Sequence, residues 1–196
     1  KGQYQLTKAL SLYLDLQYRY INYAIDGIHD DMSSFIQNHQ YNFFNPKAGV
    51  TYRLSDQNVL FASVAMANRE PSRSDFRDAD ANAEVLPERL TDYELGYRHG
   101  GKRVAFNANL FYMDYKNQLV LTGKINNVGS AIRTNVDNSF RAGIELSAAF
   151  RVTDWFNWNL NATYSQNKIK NFTEYVDNWD YWDDPSSQPL QYEKNL

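Results

Sequence analysis

The side chains best suited to chemistry fall in two clusters. Arg69, Arg73 and Arg77 lie within nine residues of one another, interleaved with Asp75, Phe76 and Asp78. Guanidinium groups at this spacing can clamp an anion through charge-assisted hydrogen bonds. They can equally pair with Asp75 and Asp78 or simply solvate a loop. The second cluster is Tyr175, Trp179, Tyr181 and Trp182, whose rings stack on planar groups or mark a membrane boundary. Catalysis has little to work with: His occurs only at 29, 39 and 99 and there is no Cys, so a nucleophile would have few bases. His29, Asp30 and Asp31 could hold a metal, but they read more simply as a solvated acidic loop. No cofactor and no resident metal is expected.

What positions these clusters is a beat of apolar and polar residues at period two. Leu12, Leu14, Leu16, Tyr18 and Tyr20 alternate with Ser11, Tyr13, Asp15, Gln17 and Arg19, which gives an extended strand one greasy face and one mostly polar face. The pattern returns in Phe140, Ala142, Ile144, Leu146, Ala148 and Phe150, and again in Phe156, Trp158, Leu160, Ala162 and Tyr164. Strands of soluble domains usually run to about 5 or 6 residues, whereas a membrane-crossing strand needs roughly 9 to 11. These segments have the membrane length.

Composition agrees with that reading. Of 196 residues 43% are hydrophobic and 22% charged, and no stretch approaches the roughly 20 apolar residues of a membrane helix. A barrel strand needs apolar residues only at every second position, so a negative mean hydropathy is compatible with lipid contact. The 15 Tyr, 11 Phe and 4 Trp suit a membrane interface. A net charge of -3 gives no basis for nucleic-acid binding, which needs a concentrated basic surface. No stretch reads as a signal peptide, so an exported parent would be represented here in mature or partial form.

Alternation and turn residues predict strands over 9–23, 41–54, 59–68, 89–98, 103–115, 136–150 and 156–168. Ser55-Asp56-Gln57-Asn58, His99-Gly100-Gly101-Lys102 and Val152-Thr153-Asp154 read as tight turns. Long polar stretches near 24–40, 69–88, 116–135 and from 170 onward alternate with them, which puts tight turns at one end of an antiparallel sheet and long loops at the other. A propeller would show a repeat of about 40 to 50 residues, and none is present. A sandwich would have shorter strands. The predicted fold is therefore all-β, with antiparallel up-and-down strands forming part of the wall of a large transmembrane β-barrel. Gly49, Gly96 and Gly143 fall on its polar face, where a missing side chain permits either a curving wall or the approach of another backbone.

Several strings then become legible in order: Asn45-Pro46-Lys47-Ala48-Gly49, Leu60-Phe61-Ala62-Ser63-Val64, Arg69-Glu70-Pro71, Pro87-Glu88, Tyr93-Glu94-Leu95-Gly96-Tyr97, Phe111-Tyr112-Met113-Asp114-Tyr115, Asn127-Val128-Gly129 and Gly143-Ile144-Glu145-Leu146. In this order and spacing, over about residues 41 to 170, the chain resembles the barrel of TonB-dependent outer-membrane receptors. Such barrels have about 22 strands and a plugged lumen. The resemblance implies that residues 1–196 are part of the C-terminal half of a barrel domain, roughly a third of the wall, without the plug or the closing strands.

The resemblance also implies partners and a site. The wall would meet outer-membrane lipid outside and its own plug domain inside, with the TonB complex acting on the full-length protein. Glu94, Arg98, Arg141 and Glu145 would face the plug, the alternative being pairing within the wall. The ligand would be gripped by Arg69, Arg73, Asp75, Phe76, Arg77 and Asp78 in one outer loop and Tyr175, Trp179, Tyr181 and Trp182 in another. Haem receptors of the family carry an Arg-Ala-Pro box followed by a histidine. Here the stretch reads Arg69-Glu70-Pro71 with no His before Pro87, which speaks against haem. A ferric siderophore is the expected cargo, with a glycan as the alternative within the family and a passive porin outside it.

Overall fold

The computed structural model describes residues 1–28, 32, 34–79, 83–126, 129–184, 186, 189 and 191–195. Eight strands form one antiparallel sheet in strict chain order: β1 (Gly2–Gln5), β2 (Leu10–Ile25), β3 (Gln37–Arg53), β4 (Asn58–Arg69), β5 (Glu88–Gly100), β6 (Val104–Ile125), β7 (Ala131–Arg151) and β8 (Asn157–Ile169). A five-residue helix, α1 (Arg73–Arg77), interrupts the β4–β5 connection. A separate hairpin of β9 (Thr173–Asp177) and β10 (Gln191–Asn195) follows β8.

Period-two alternation becomes two opposed faces. Across the ladder Leu12 lies opposite Val50, Leu14 opposite Ala48 and Tyr18 opposite Phe44. Further along, Tyr93 meets Tyr112 and Leu146 meets Ala162. Leu14, Leu16, Tyr18, Tyr93, Leu110 and Leu160 are all exposed, as a face built for lipid requires. The opposite face carries Asp15, Arg19, Lys47, Glu94, Arg98, Asn109, Arg141, Glu145 and Asn161, which share one side by register. Two glycines on that face are filled by the wall itself. A Cβ at Gly96 would collide with the Phe61 ring directly across the ladder, and one at Gly143 would meet the Phe111 ring at 2.8 Å. These sites therefore accommodate cross-strand aromatics, the device that rescues glycine in a curved sheet.

The turns after β1, β3, β5 and β7 lie at one end of the sheet, and the longer β2–β3 and β4–β5 connections lie at the other. Besides the β9–β10 hairpin in the stretch from 170 onward, which was expected as a loop, the structure departs from the sequence reading in three places. β1, only four residues long, adds an eighth strand by pairing with Leu14 to Ser11 of β2. The 69–88 stretch contains α1. The stretch 116–135, expected as a loop, is mostly strand: β6 and β7 run on to Ile125 and from Ala131 as a projecting ribbon. Leu119, Ile132 and Val136 are buried there, and Gly123 takes the left-handed φ of +81° where the register shifts, a conformation glycine adopts without steric cost.

Candidate functional site

The site grows from α1 and the residues that hold it. Ser72 caps the helix: its hydroxyl accepts from the Asp75 N–H at 3.3 Å, while the Asp75 carboxylate accepts from the Ser72 N–H at 2.8 Å. This reciprocal box satisfies two backbone donors that a short helix would otherwise leave open. Pro71, just before it, is fully buried.

Four tethers from this segment run to the polar face of the sheet. Glu70 pairs with Arg19 of β2 at 2.5 Å, and the Pro71 carbonyl accepts from the Tyr23 hydroxyl at 3.2 Å. The Phe76 ring stacks on His39 of β3 with centroids 3.9 Å apart, and Asp75 pairs with Arg133 of β7 at 3.4 Å. Adjacent residues 75 and 76 thus touch strands that lie four intervals apart in the sheet, roughly 19 Å of arc at the usual strand spacing. The helix thus lies across the polar face, the concave side of a barrel wall, and the β4–β5 connection folds inward over it.

The same end of the wall is stiffened further. The Leu86 N–H donates to the Asn135 side chain at 2.8 Å and the Asn135 amide donates back to the Leu86 carbonyl at 2.9 Å. Glu88 accepts from the Leu119 N–H at 2.6 Å and pairs with Arg69 at 2.6 Å. His39, Tyr41 and Phe43 form a ring stack along β3, with Tyr23 beside it. Tyr23, His39 and Tyr41 lie beyond the apolar band, which ends where Tyr20 faces Asn42, and Phe43 lies just inside its edge. Burial lowers the His39 pKa from its ordinary 6.5. Burial, followed by Tyr41, Glu70 and Asp75, pushes Tyr23 up to about 12, so its phenol stays a neutral donor.

The expected arginines do not share one fate. Arg69 pairs with Glu88, and Arg77 is bidentate to Asp78 at 2.7 and 2.8 Å. Arg73 is exposed and makes no hydrogen bond or ion pair among the described residues. In the second cluster, Tyr175 sits in β9 with its backbone packed against Gly123 and its ring under Lys124 at 5.7 Å. Trp179 and Trp182 are 78% and 69% exposed, and Tyr181 meets Trp182 edge-on at 5.5 Å. Both clusters are at the loop end, joined through the β6–β7 ribbon. His29, Asp30 and Asp31 lie outside the described residues, as do Asn127 and Val128.

Glu94, Arg98, Arg141 and Glu145 all lie on the concave face. Glu94 accepts from the Ser63 hydroxyl at 3.2 Å, Arg98 lies over Phe61 at 5.8 Å and Arg141 over Tyr115 at 5.1 Å. None of the four is ion-paired among the described residues. Near the short turns, a depression of about 460 Å³ is bordered by Arg98, Asn107, Ser147, Asn159 and Asn161. On the same face Asp92, Asn107 and Asn109 each hold a buried carbonyl-type oxygen without a hydrogen-bond partner among the described residues. Buried acceptors rarely stay unpaired.

Residues 1–192 match the family model described as TonB dependent receptor-like, beta-barrel. The chain belongs to that family. It forms part of the β-barrel wall of a bacterial outer-membrane protein. Of the relatives, the Pesticin receptor of Yersinia enterocolitica is 24% identical over 124 residues, which is 63% of this chain and 18% of the receptor. Among solved structures, the copper transporter OprC matches with a TM-score of 0.74 and 16% identity over 85% of this chain and 28% of its own. The ferric yersiniabactin uptake receptor FyuA from Yersinia pestis gives 0.62 and 16% over 90% and 30%. The alcaligin outer-membrane receptor FauA from Bordetella pertussis gives 0.59 and 19% over 86% and 29%. The chain therefore spans less than a third of the length of each of these proteins.

Sequence reasoning passed over His39, Tyr23, Arg133, Asn135 and Glu88, all of which hold the TonB-dependent receptor's outer loop. Their contacts span 18 or more positions in sequence, and no local pattern encodes them.

Proposed function

We propose that this wall belongs to a receptor that binds and imports an iron complex, a ferric siderophore, with energy from TonB. The observation that carries the reading is the inward fold of an arginine-bearing segment over a concave polar wall, at the end where the aromatic cluster also projects. A guanidinium held at such a mouth favours an anionic chelate through charge-assisted hydrogen bonds, and exposed indoles suit its planar parts. In this reading Arg69, Arg73, Asp75, Phe76 and Arg77 form one side of the site and Tyr175, Trp179, Tyr181 and Trp182 the other. Glu94, Arg98, Arg141 and Glu145 face a plug domain carried elsewhere in the full-length protein. The unpaired acceptors of Asp92, Asn107 and Asn109 support the presence of an inner partner.

The solved relatives include receptors named for ferric yersiniabactin and for alcaligin as well as a copper transporter, so the fold leaves the cargo open and loop chemistry selects the chelate. The test replaces Arg69, Arg73 and Arg77 with alanine in the full-length receptor, verifies normal surface abundance, and measures uptake of labelled ferric siderophores. Loss of uptake supports the site. Unchanged affinity and uptake would remove this loop and leave the aromatic cluster.

A further inference from the structure

We propose that Arg133 and His39 are positioning residues that hold residues 70–78 as a standing roof over the inner mouth, already in place before any cargo arrives. The inference rests on the reading of this end as the binding end, though its first measurement does not need a cargo. Four independent tethers support it. Arg19 and Tyr23 fix the entry to the segment from β2, His39 fixes Phe76 from β3, and Arg133 fixes Asp75 from β7. A lid that swings open would be anchored at its two ends and free at its tip. Here the tip itself is clamped, from opposite sides of the curved wall, by consecutive side chains.

The clamp has a chemical division of labour. Asp75 serves twice, with one oxygen completing the helix cap and the other meeting Arg133, so releasing Arg133 loosens the strand contact while leaving the cap intact. The neutral His39 ring presents a flat face to Phe76, and burial disfavours its protonation. Held this way, α1 presents Arg73 without a counter-ion among the described residues, while Arg77 and Arg69 are occupied by Asp78 and Glu88. Arg133 and His39 would then tune cargo affinity through Arg73, with no contact of their own required.

The test uses the full-length receptor in detergent or nanodiscs. Hydrogen exchange of the amides of residues 72–78 is followed in the wild type and in Arg133→Ala, Arg133→Lys and His39→Ala, with and without a ferric tris-catecholate and a ferric tris-hydroxamate chelate. We expect protection in the cargo-free wild type, about tenfold faster exchange in Arg133→Ala and His39→Ala, and recovery to within about threefold in Arg133→Lys. Whichever chelate binds should bind more weakly in the two alanine variants, and Arg133→Lys should regain affinity with the protection. Exchange as fast as an open loop in the cargo-free wild type, or protection that arises only with chelate, would overturn the roof. If neither chelate binds while the exchange pattern holds, the ferric siderophore reading falls and the roof remains.

Discussion

Arg73 differs from the two arginines that flank it. Its neighbours pair with Glu88 and Asp78, so at the residue scale Arg73→Ala should remove the cation of α1 that has no ion-pair partner among the described residues. If the cargo is an anionic chelate, binding should weaken by about 1.5 to 3 kcal/mol, the scale of a charged hydrogen bond. Binding isotherms for the single variants measure this directly, and a loss within about 0.5 kcal/mol, typical of an exposed site, would count against Arg73 as a ligand contact. His39 gives a pH signature. Because its folded-state pKa lies below 6.5, the unfolded outer end binds a proton that the folded one refuses in the window beneath that value. Stability of this end is complete above pH 6.5 and falls as the pH drops through the window toward the folded pKa. Exchange protection near His39 should decline from pH 7 to pH 5 in the wild type and stay flat over that range in His39→Gln.

At the scale of strands, facing is the main consequence. Leu146→Arg would put a charge on the apolar face at a cost of about 2 to 4 kcal/mol near the midplane, whereas Asn161→Arg adds charge to an inner face that already carries it. Assembly yield into membranes should fall sharply for the first and little for the second. Gly96→Val should also impair assembly, by about 1 to 3 kcal/mol of overpacking against Phe61, and Phe61→Ala in the same chain should recover part of it. The faces and the short turns were legible because a buried or lipid-facing side of a strand must repeat every second residue. Strand β1 was not, since four residues give too few repeats. Extension of β6 and β7 was hidden because Leu119-Val120-Leu121 breaks the alternation and only Ile132 and Val136 carry an apolar beat through the start of β7. Nor was the inward fold of α1 legible: Asp75 and Arg133 meet across 58 residues.

At the scale of the whole molecule, β1 and β8 bound an open sheet, and all of β8 is solvent-exposed. Unpaired edges together with an apolar outer face promote association, so the isolated 196-residue chain should require detergent, and light scattering in plain buffer should show aggregates and no monodisperse monomer. The concave polar face, the inward roof and the apolar exterior all presuppose one orientation, with residues 159, 161, 163 and 165 of β8 inside and 158, 160, 162 and 164 against lipid. That orientation is tested most directly by spin labels placed one at a time along residues 158–165 in the full-length receptor, reading collision with lipid-soluble oxygen and with a water-soluble nickel complex. Oxygen accessibility should peak at the even positions, with the oxygen-to-nickel ratio falling at the odd ones in a strict period of two. A uniform profile along the strand, or peaks at the odd positions, would contradict the membrane wall described here.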